Sequence, residues 1–316
     1  MAHDLKPLSF DKVKRYPLAG RQSKVNRGDL AKPVKAGESA AAFLESLPNI
    51  LAGADLKSVA KAMIRAKSKD LPILWSMGAH VIKVGLTPVL IDLMEAGFVS
   101  GIALNGAGII HDSELAMSGK TSEDVPKAME DRSFGMALET SQFINEATLK
   151  AYKEKAGLGE TLGRLLVDKN FSGIGDSLLA QAYLRKIPVT VHVAIGGDII
   201  HMHPEASGEA IGASSFYDFQ VFCTLVSGLV RDSVLLNVGS AVILPVVIEK
   251  AIAVCRNLGY PVEGFVGVNF DFIRHYRSHL NPVTRAKDLK GTGYELIGHH
   301  ELLIPLLALA IKEYAK

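Results

Sequence analysis

Five short apolar runs recur along the chain: Pro72–Ser76 (PILWS), Val99–Leu104 (VSGIAL), Pro188–Ala194 (PVTVHVA), Ser233–Val238 (SVLLNV) and Gly264–Asn269 (GFVGVN). None alternates strictly between apolar and polar. A strand with one wet face alternates; a run that is apolar throughout is covered on both faces, as in a parallel sheet. Between the runs lie segments of helical periodicity. TPVLIDLMEAG opens on Thr87-Pro88, a favourable first turn, and closes on Gly97. GDSLLAQAYLRK starts at Asp176 and ends in basic residues, which suit the negative end of a helix dipole. LPVVIEKAIAVCRNLG stops at Gly259, with Pro261 beyond it. Strand and helix in alternation, joined by short links, imply an α/β fold with right-handed crossovers and helices on both faces. Residues 113–186 read as a wholly helical insertion that packs on one edge. Residues 1–35, rich in Lys, Arg and Pro, read as an irregular arm, and 36–316 as a single α/β domain.

Composition narrows the picture without redirecting it. The chain has 316 residues, 48% of them hydrophobic, enough for a substantial core. Its net charge of +2 provides no field to draw nucleic acid or an acidic membrane. The basic residues of the arm read as a solvated segment rather than a binding patch. Cys223 and Cys255 both lie in apolar helical patterns and imply no disulfide framework. No apolar signal segment or membrane-length run is evident, so a cytoplasmic setting is the expectation.

In an open parallel sheet, ligands bind beyond the carboxyl ends of the strands. Polar residues and glycines recur there in this chain. His80 and Lys83 follow the first run. Asn105, Gly106, Ala107, Gly108, His111 and Asp112 follow the second, with helix expected from near His111. Asp198, His201 and His203 follow the third, Gly239 and Ser240 the fourth, and Asp271 the fifth. Glycine lets a backbone approach a phosphate or ribose closely, and a helix start offers unpaired N–H groups to an anion. Taken singly, NGAG and GSAV are equally readable as ordinary tight turns, and neither is a full G-x-G-x-x-G fingerprint.

Three histidine groups stand out: His111-Asp112, His201-Met202-His203 with Glu205, and His299-His300-Glu301. In an extended segment His201 and His203 would point the same way, as a shared metal needs. The plainer reading is that these are hydrogen-bonding histidines in polar loops, with no metal site. His192, inside an expected strand, reads as buried and satisfied.

The stretch Gly78–Ala116, GAHVIKVGLTPVLIDLMEAGFVSGIALNGAGIIHDSELA, resembles the deoxyhypusine synthase family. IPVTVHVAIGGDIIHMH and LLNVGSAVILPVVIEKA resemble its later blocks in the same order. The resemblance covers Pro72 to Asn269, discontinuously. It implies a Rossmann-like sheet, NAD in the crevice and a homotetramer. It also implies that Asn105, Gly106, Ala107, Gly108, Asp112, Asp198, Gly239 and Ser240 contact the cofactor, with His80 and Lys83 near it. The departures fall where that family grips its substrate. His111 replaces an acidic residue, ILPVV replaces a histidine pair, and the lysine setting Ser-Trp-Gly-Lys is missing, the single tryptophan being Trp75. A desolvated polycation needs acids around it. This crevice is rich in His, Lys and Arg, which favours a neutral or anionic second substrate.

The expectation is therefore an NAD-dependent enzyme of transferase or oxidoreductase chemistry on a small molecule, its substrate unassigned. Lys83 is a candidate for imine formation or phosphate contact. His111, His201 and His299 are candidates for moving protons near neutral pH. The alternatives are true deoxyhypusine synthase activity, with butylamine transfer from spermidine to a protein lysine; a metal-dependent hydrolase using His111, His201, His203 and Glu205; and a non-catalytic nucleotide-binding module.

Overall fold

The computed structural model describes residues 5–316; the first four residues of the expected arm lie outside the described residues. Residues 5–39 carry two single 3-10 turns, Leu18–Gly20 and Arg27–Asp29, and are exposed almost throughout. Helices α1 (Ala40–Ser46) and α2 (Leu51–Ser68) lead into β1 (Ile73–Met77). The short α3 (His80–Lys83) and α4 (Thr87–Glu95) connect it to β2 (Gly101–Asn105). Five helices follow: α5 (Gly106–Ser118), α6 (Val125–Glu130), α7 (Leu138–Glu154), α8 (Leu158–Asp168) and α9 (Leu178–Leu184). Residues 113–186 contain these helices joined by turns and irregular links, and α8 packs on the next strand, β3 (Val189–His192), at the sheet edge. The remainder is α10 (Gly208–Ser227), β4 (Val234–Val238), α11 (Ile243–Asn257), β5 (Val266–Asp271), the short α12 (Tyr276–Ser278) and α13 (Arg285–Asp288), β6 (Thr292–Ile297) and α14 (His300–Tyr314).

All six strands are parallel, in the order β3-β2-β1-β4-β5-β6. The strand period of two divides the apolar runs between two layers. Ile73, Trp75 and Met77 face the layer of α2, α4, α5 and α14; Leu74, Ala103 and Leu235 face α10 and α11. That double coverage is why the runs do not alternate. Trp75 is buried, and its Nε1–H donates to the Phe98 carbonyl at 3.0 Å. Truncation to alanine there would cost about 3–5 kcal/mol through the cavity left behind.

Two expectations need correction. A sixth strand exists: GTGYELIG contains no apolar run, because β6 is an edge strand with a single buried residue, and its glycines serve close packing. A Cβ on Gly293 would lie 2.2 Å from the Val283 carbonyl oxygen. Helix α5 begins at Gly106 rather than near His111. Asn105 ends β2 and caps α5 at once, its side-chain oxygen accepting the Gly108 N–H at 2.9 Å.

The strand order places the functional edge. The chain winds outward from β1 through β2 to β3, then returns to β4 beside β1 and winds the other way. Loops after β1 and β4 therefore leave in opposite directions, and a crevice opens between them at the carboxyl ends.

Candidate functional site

The loops after β1 and β4 meet at this switch point. Gly78 donates its N–H to the Val238 carbonyl at 2.9 Å, and Gly239 donates to Phe270 at 2.9 Å. A Cβ on Gly78 would lie 2.1 Å from the Gly239 carbonyl oxygen. Gly239 itself has φ +65°, a conformation in which a side chain is strained. Beyond it, Ser240 Oγ accepts the Leu244 N–H at 3.2 Å. The amides of Ala241, Val242 and Ile243 at the start of α11 make no hydrogen bond among the described residues.

The neighbouring tip, between β2 and β3, is closed differently. The Asp198 carboxylate sits against Gly106 where a Cβ would fall 2.1 Å from Oδ2, and that oxygen also accepts the Ala194 N–H at 2.8 Å. A carboxylate parked at a helix N-terminus is favoured by the dipole. Here it stands directly against the NGAG loop. Burial raises the Asp198 pKa above the ordinary carboxylate value, against the Ala194 amide and nearby His201. Gly106, Asp198 and Gly239 thus lie along one edge of the sheet, at the tips of β2, β3 and β4.

A pocket of about 250 Å³ opens beside Asp198, lined by Lys83, Ala107, His111, Glu114 and Ile199 among others. Its polar wall is a relay. The Thr121 hydroxyl donates to Glu114 Oε2 at 2.5 Å, so it accepts from His111 Nδ1 at 2.6 Å. Thr140 holds the other Glu114 oxygen at 3.0 Å. This chain fixes His111 with Nδ1 protonated and leaves Nε2 bare. Burial holds the His111 pKa below the usual histidine value, outweighing Glu114, and Lys83 acts in the same direction as burial. Lys83 is exposed at the rim and forms no ion pair among the described residues.

A second pair, unforeseen as a pair, lies at the switch point. His80 Nδ1 is 2.8 Å from His300 Nδ1, and His300 Nε2 is 3.2 Å from the Phe270 carbonyl oxygen. The Phe272 ring stacks obliquely on His80, centroids 5.0 Å apart. A Cβ on Gly239 would lie 2.9 Å from His300 Cε1, so the ring closes the floor of the same turn.

Other candidates lie apart. Asp112 is fully buried and does not line the crevice: it accepts from Ser177 Oγ (2.6 Å), Leu178 N (2.7 Å) and Leu179 N (3.1 Å), capping α9. His299 caps α14 in solvent beside Glu301, while His300, one position on, is the buried member. His201 and His203 are on a 3-10 turn, Ile199–Met202, and its exit rather than an extended segment, so they do not share a direction. His203 donates to the Gly135 carbonyl at 2.8 Å, both His201 nitrogens are buried without partners, and no metal-holding group of His, Cys, Asp or Glu occurs among the described residues. His192 is buried against Thr190 at 3.0 Å, as expected.

One feature of the sheet escaped sequence reasoning. Ser76, Asn237, Asn269 and Glu295 occupy matching positions on β1, β4, β5 and β6. Asn237 Nδ2 donates to Asn269 Oδ1 (2.8 Å) and to the Ser240 carbonyl (2.9 Å), tying the Gly239–Ser240 turn to the sheet. Ser76 Oγ, Asn237 Oδ1, Asn269 Nδ2, Glu295 Oε1 and Asp271 Oδ2 lack protein partners. Buried atoms of this kind require ordered water or a ligand's polar groups. The available signal was a single Asn near the carboxyl end of each of two otherwise apolar runs.

The sheet order, the switch-point crevice and the surrounding helices define a Rossmann-type α/β fold of the deoxyhypusine synthase-like kind. Among solved structures, the chain is similar to a LOR/SDH protein from Methanococcus maripaludis S2, with TM-score 0.52 and 15% identity over 95% of this chain and 75% of that one. It is similar to a protein described as a deoxyhypusine synthase from Entamoeba histolytica, with TM-score 0.52 and 12% identity over 90% and 97% of the two chains. It is also similar to AgrE, whose structure is a ternary complex with ornithine and NAD+, with TM-score 0.52 and 15% identity over 82% of this chain but 33% of that one. The chain therefore spans about a third of AgrE. Its sequence matches no family model and no curated relative. No helix among the described residues is long and apolar enough to cross a membrane.

Proposed function

We propose that the chain is an NAD-dependent enzyme that oxidises, or transfers a group from, a small neutral or anionic substrate. The observation that carries this reading is the meeting of Gly78 with Gly239 at the switch point, beside the free amides of α11. Side-chain-free backbone and unpaired N–H groups are what a dinucleotide's phosphates require. The presence of NAD+ in the AgrE complex supports the same reading.

The residues present fit the cofactor. Gly78, Gly239 and Ser240 would admit its phosphates against α11. Asp198, which uses one oxygen on Ala194, retains the other for a ribose hydroxyl. Asn105, Gly106 and Gly108 build the wall that positions Asp198 rather than a phosphate seat. Bound there, the cofactor supplies a hydride acceptor.

The adjoining pocket would take the second substrate. Glu114 has both oxygens committed to threonines, and Glu123 accepts the Gly135 N–H at 2.9 Å. Lys83 is the uncommitted charge at the rim, so a carboxylate or phosphate on the substrate is the complementary group. His111 presents a bare Nε2 to the pocket and would accept or return a proton there.

Isothermal titration of NAD+ into the protein tests the reading. Saturable binding of one NAD+ per chain is expected, and Lys83→Ala should leave it essentially unchanged, because Lys83 faces the pocket for the second substrate. Absence of binding by the wild type would remove the proposal.

A further inference from the structure

We propose that His80 is a preset proton acceptor at the switch point, held ready by His300, for a substrate whose hydroxyl- or amine-bearing carbon is oxidised. The claim rests on the NAD-dependent reading for its oxidant, and on geometry for its base.

The geometry leaves one arrangement of protons. A carbonyl oxygen only accepts, so His300 Nε2, 3.2 Å from the Phe270 carbonyl, carries a hydrogen. His300 is completely buried, and burial holds it below the usual histidine range, so its other nitrogen is bare at neutral pH. Two facing Nδ1 atoms 2.8 Å apart share one hydrogen, which must then belong to His80. The order is Phe270 C=O, H–Nε2 of His300, Nδ1 of His300, H–Nδ1 of His80, and His80 Nε2 is left with its lone pair. That nitrogen has no hydrogen bond among the described residues, and His80 is half-buried at the crevice.

Protonation of His80 at Nε2 leaves the Nδ1–H···Nδ1 bond in place. The ring can therefore take a proton without turning, and Phe272, 5.0 Å from His80 and 5.9 Å from His300, packs both rings in that orientation. The charged groups facing the pair are Asp271, at the end of β5, and Glu301, on α14. Gly78, two residues before His80, forms the floor of the proposed cofactor crevice, so the bare nitrogen and the hydride acceptor would share one opening.

The substrate C–H bond breaks, with its electron pair leaving as hydride to the oxidised pyridine nucleotide. The O–H or N–H bond breaks, with its proton going to His80 Nε2, and a C=O or C=N bond forms. His80 is the catalytic residue, and His300 is a positioning residue.

The test reads tautomers directly, by long-range ¹H–¹⁵N correlation of histidine-labelled protein at neutral pH. Both His111 and His80 are expected in the Nδ1–H form, the His80 signal being the one lost in His80→Gln while that of His111 remains. His300→Phe should return His80 to the Nε2–H form common in solution, and His300→Asn, which keeps a donor and an acceptor, should hold His80 in the Nδ1–H form. A second measurement maps carbethoxylation of His80 by diethyl pyrocarbonate. Wild-type His80 should react faster than in His300→Phe, and saturating NAD+ should slow the wild-type reaction several-fold. His80 found in the Nε2–H form in the wild type, or reacting at an unchanged rate under NAD+ that demonstrably binds, would overturn the inference while leaving the cofactor reading intact. A correct tautomer in a protein that binds no NAD+ would remove the oxidation step and with it this assignment of His80, and would also remove the cofactor reading.

Discussion

Gly106 offers a sharp single-residue test, because its neighbour decides the sign. At the first position of a helix, alanine ordinarily improves on glycine. Here the added Cβ would meet the Asp198 carboxylate at 2.1 Å. Gly106→Ala should therefore destabilise by about 1–3 kcal/mol in urea denaturation. The double variant with Asp198→Ala should recover most of that loss, a coupling typical of residues in contact. Equal effects of Gly106→Ala with and without Asp198 would contradict the packing described. Residue types of this site were legible in the sequence where they follow an apolar run, as His80, Asp198, Gly239 and Ser240 do. What was not legible is direction. His299 and His300 are indistinguishable in the chain, and only the entry of α14 against β5 decides which ring is buried.

At the scale of elements, α9 depends on a cap supplied from α5. Asp112 and Ser177 together satisfy the amides of Leu178, Leu179 and Ala180. Asp112→Ala leaves the first two of these buried donors unpaired and should cost about 2–3 kcal/mol. A loss below about 0.5 kcal/mol in denaturant melts would contradict that role. Asp218, on α10, similarly accepts the N–H groups of Gly159 (3.0 Å) and Val191 (2.9 Å), joining α8 and β3. Burial outweighs these amides and raises Asp112 to about 6 and Asp218 to about 7, above the ordinary 3.8. Each folded-state pKa exceeds the unfolded one, so the native state binds the proton more tightly. The stability this contributes is complete below about pH 4 and is lost as pH rises through 6 and 7. Asp218→Asn should flatten the fall in denaturation midpoint between about pH 4 and about pH 8. A variant whose midpoint tracks the wild type across that range would refute the assignment. Five of six strands were legible because both faces are covered. β6 was not, since an edge strand needs neither a continuous apolar run nor strict alternation.

For the whole molecule, the strand order rather than any single loop creates the crevice. No fingerprint motif marks it in the sequence, because its floor is built from residues far apart in the chain: Gly78, Gly239, Phe270 and His300. The basic arm, with Leu5, Leu8 and Phe10 in solvent, adds apolar surface that a subunit contact would cover. Sedimentation at micromolar concentration should show an oligomer, and a chain that remains monomeric would count against that contact. The central claim is that loops from separate strands form one cleft for a pyridine nucleotide. It is tested most directly by solving the structure of the protein soaked or co-crystallised with NAD+. The account predicts the dinucleotide across the β1–β4 boundary, phosphates on the Gly239–Ile243 amides and Asp198 beside a ribose; an NAD+ bound elsewhere, or none at saturating concentration, would contradict it.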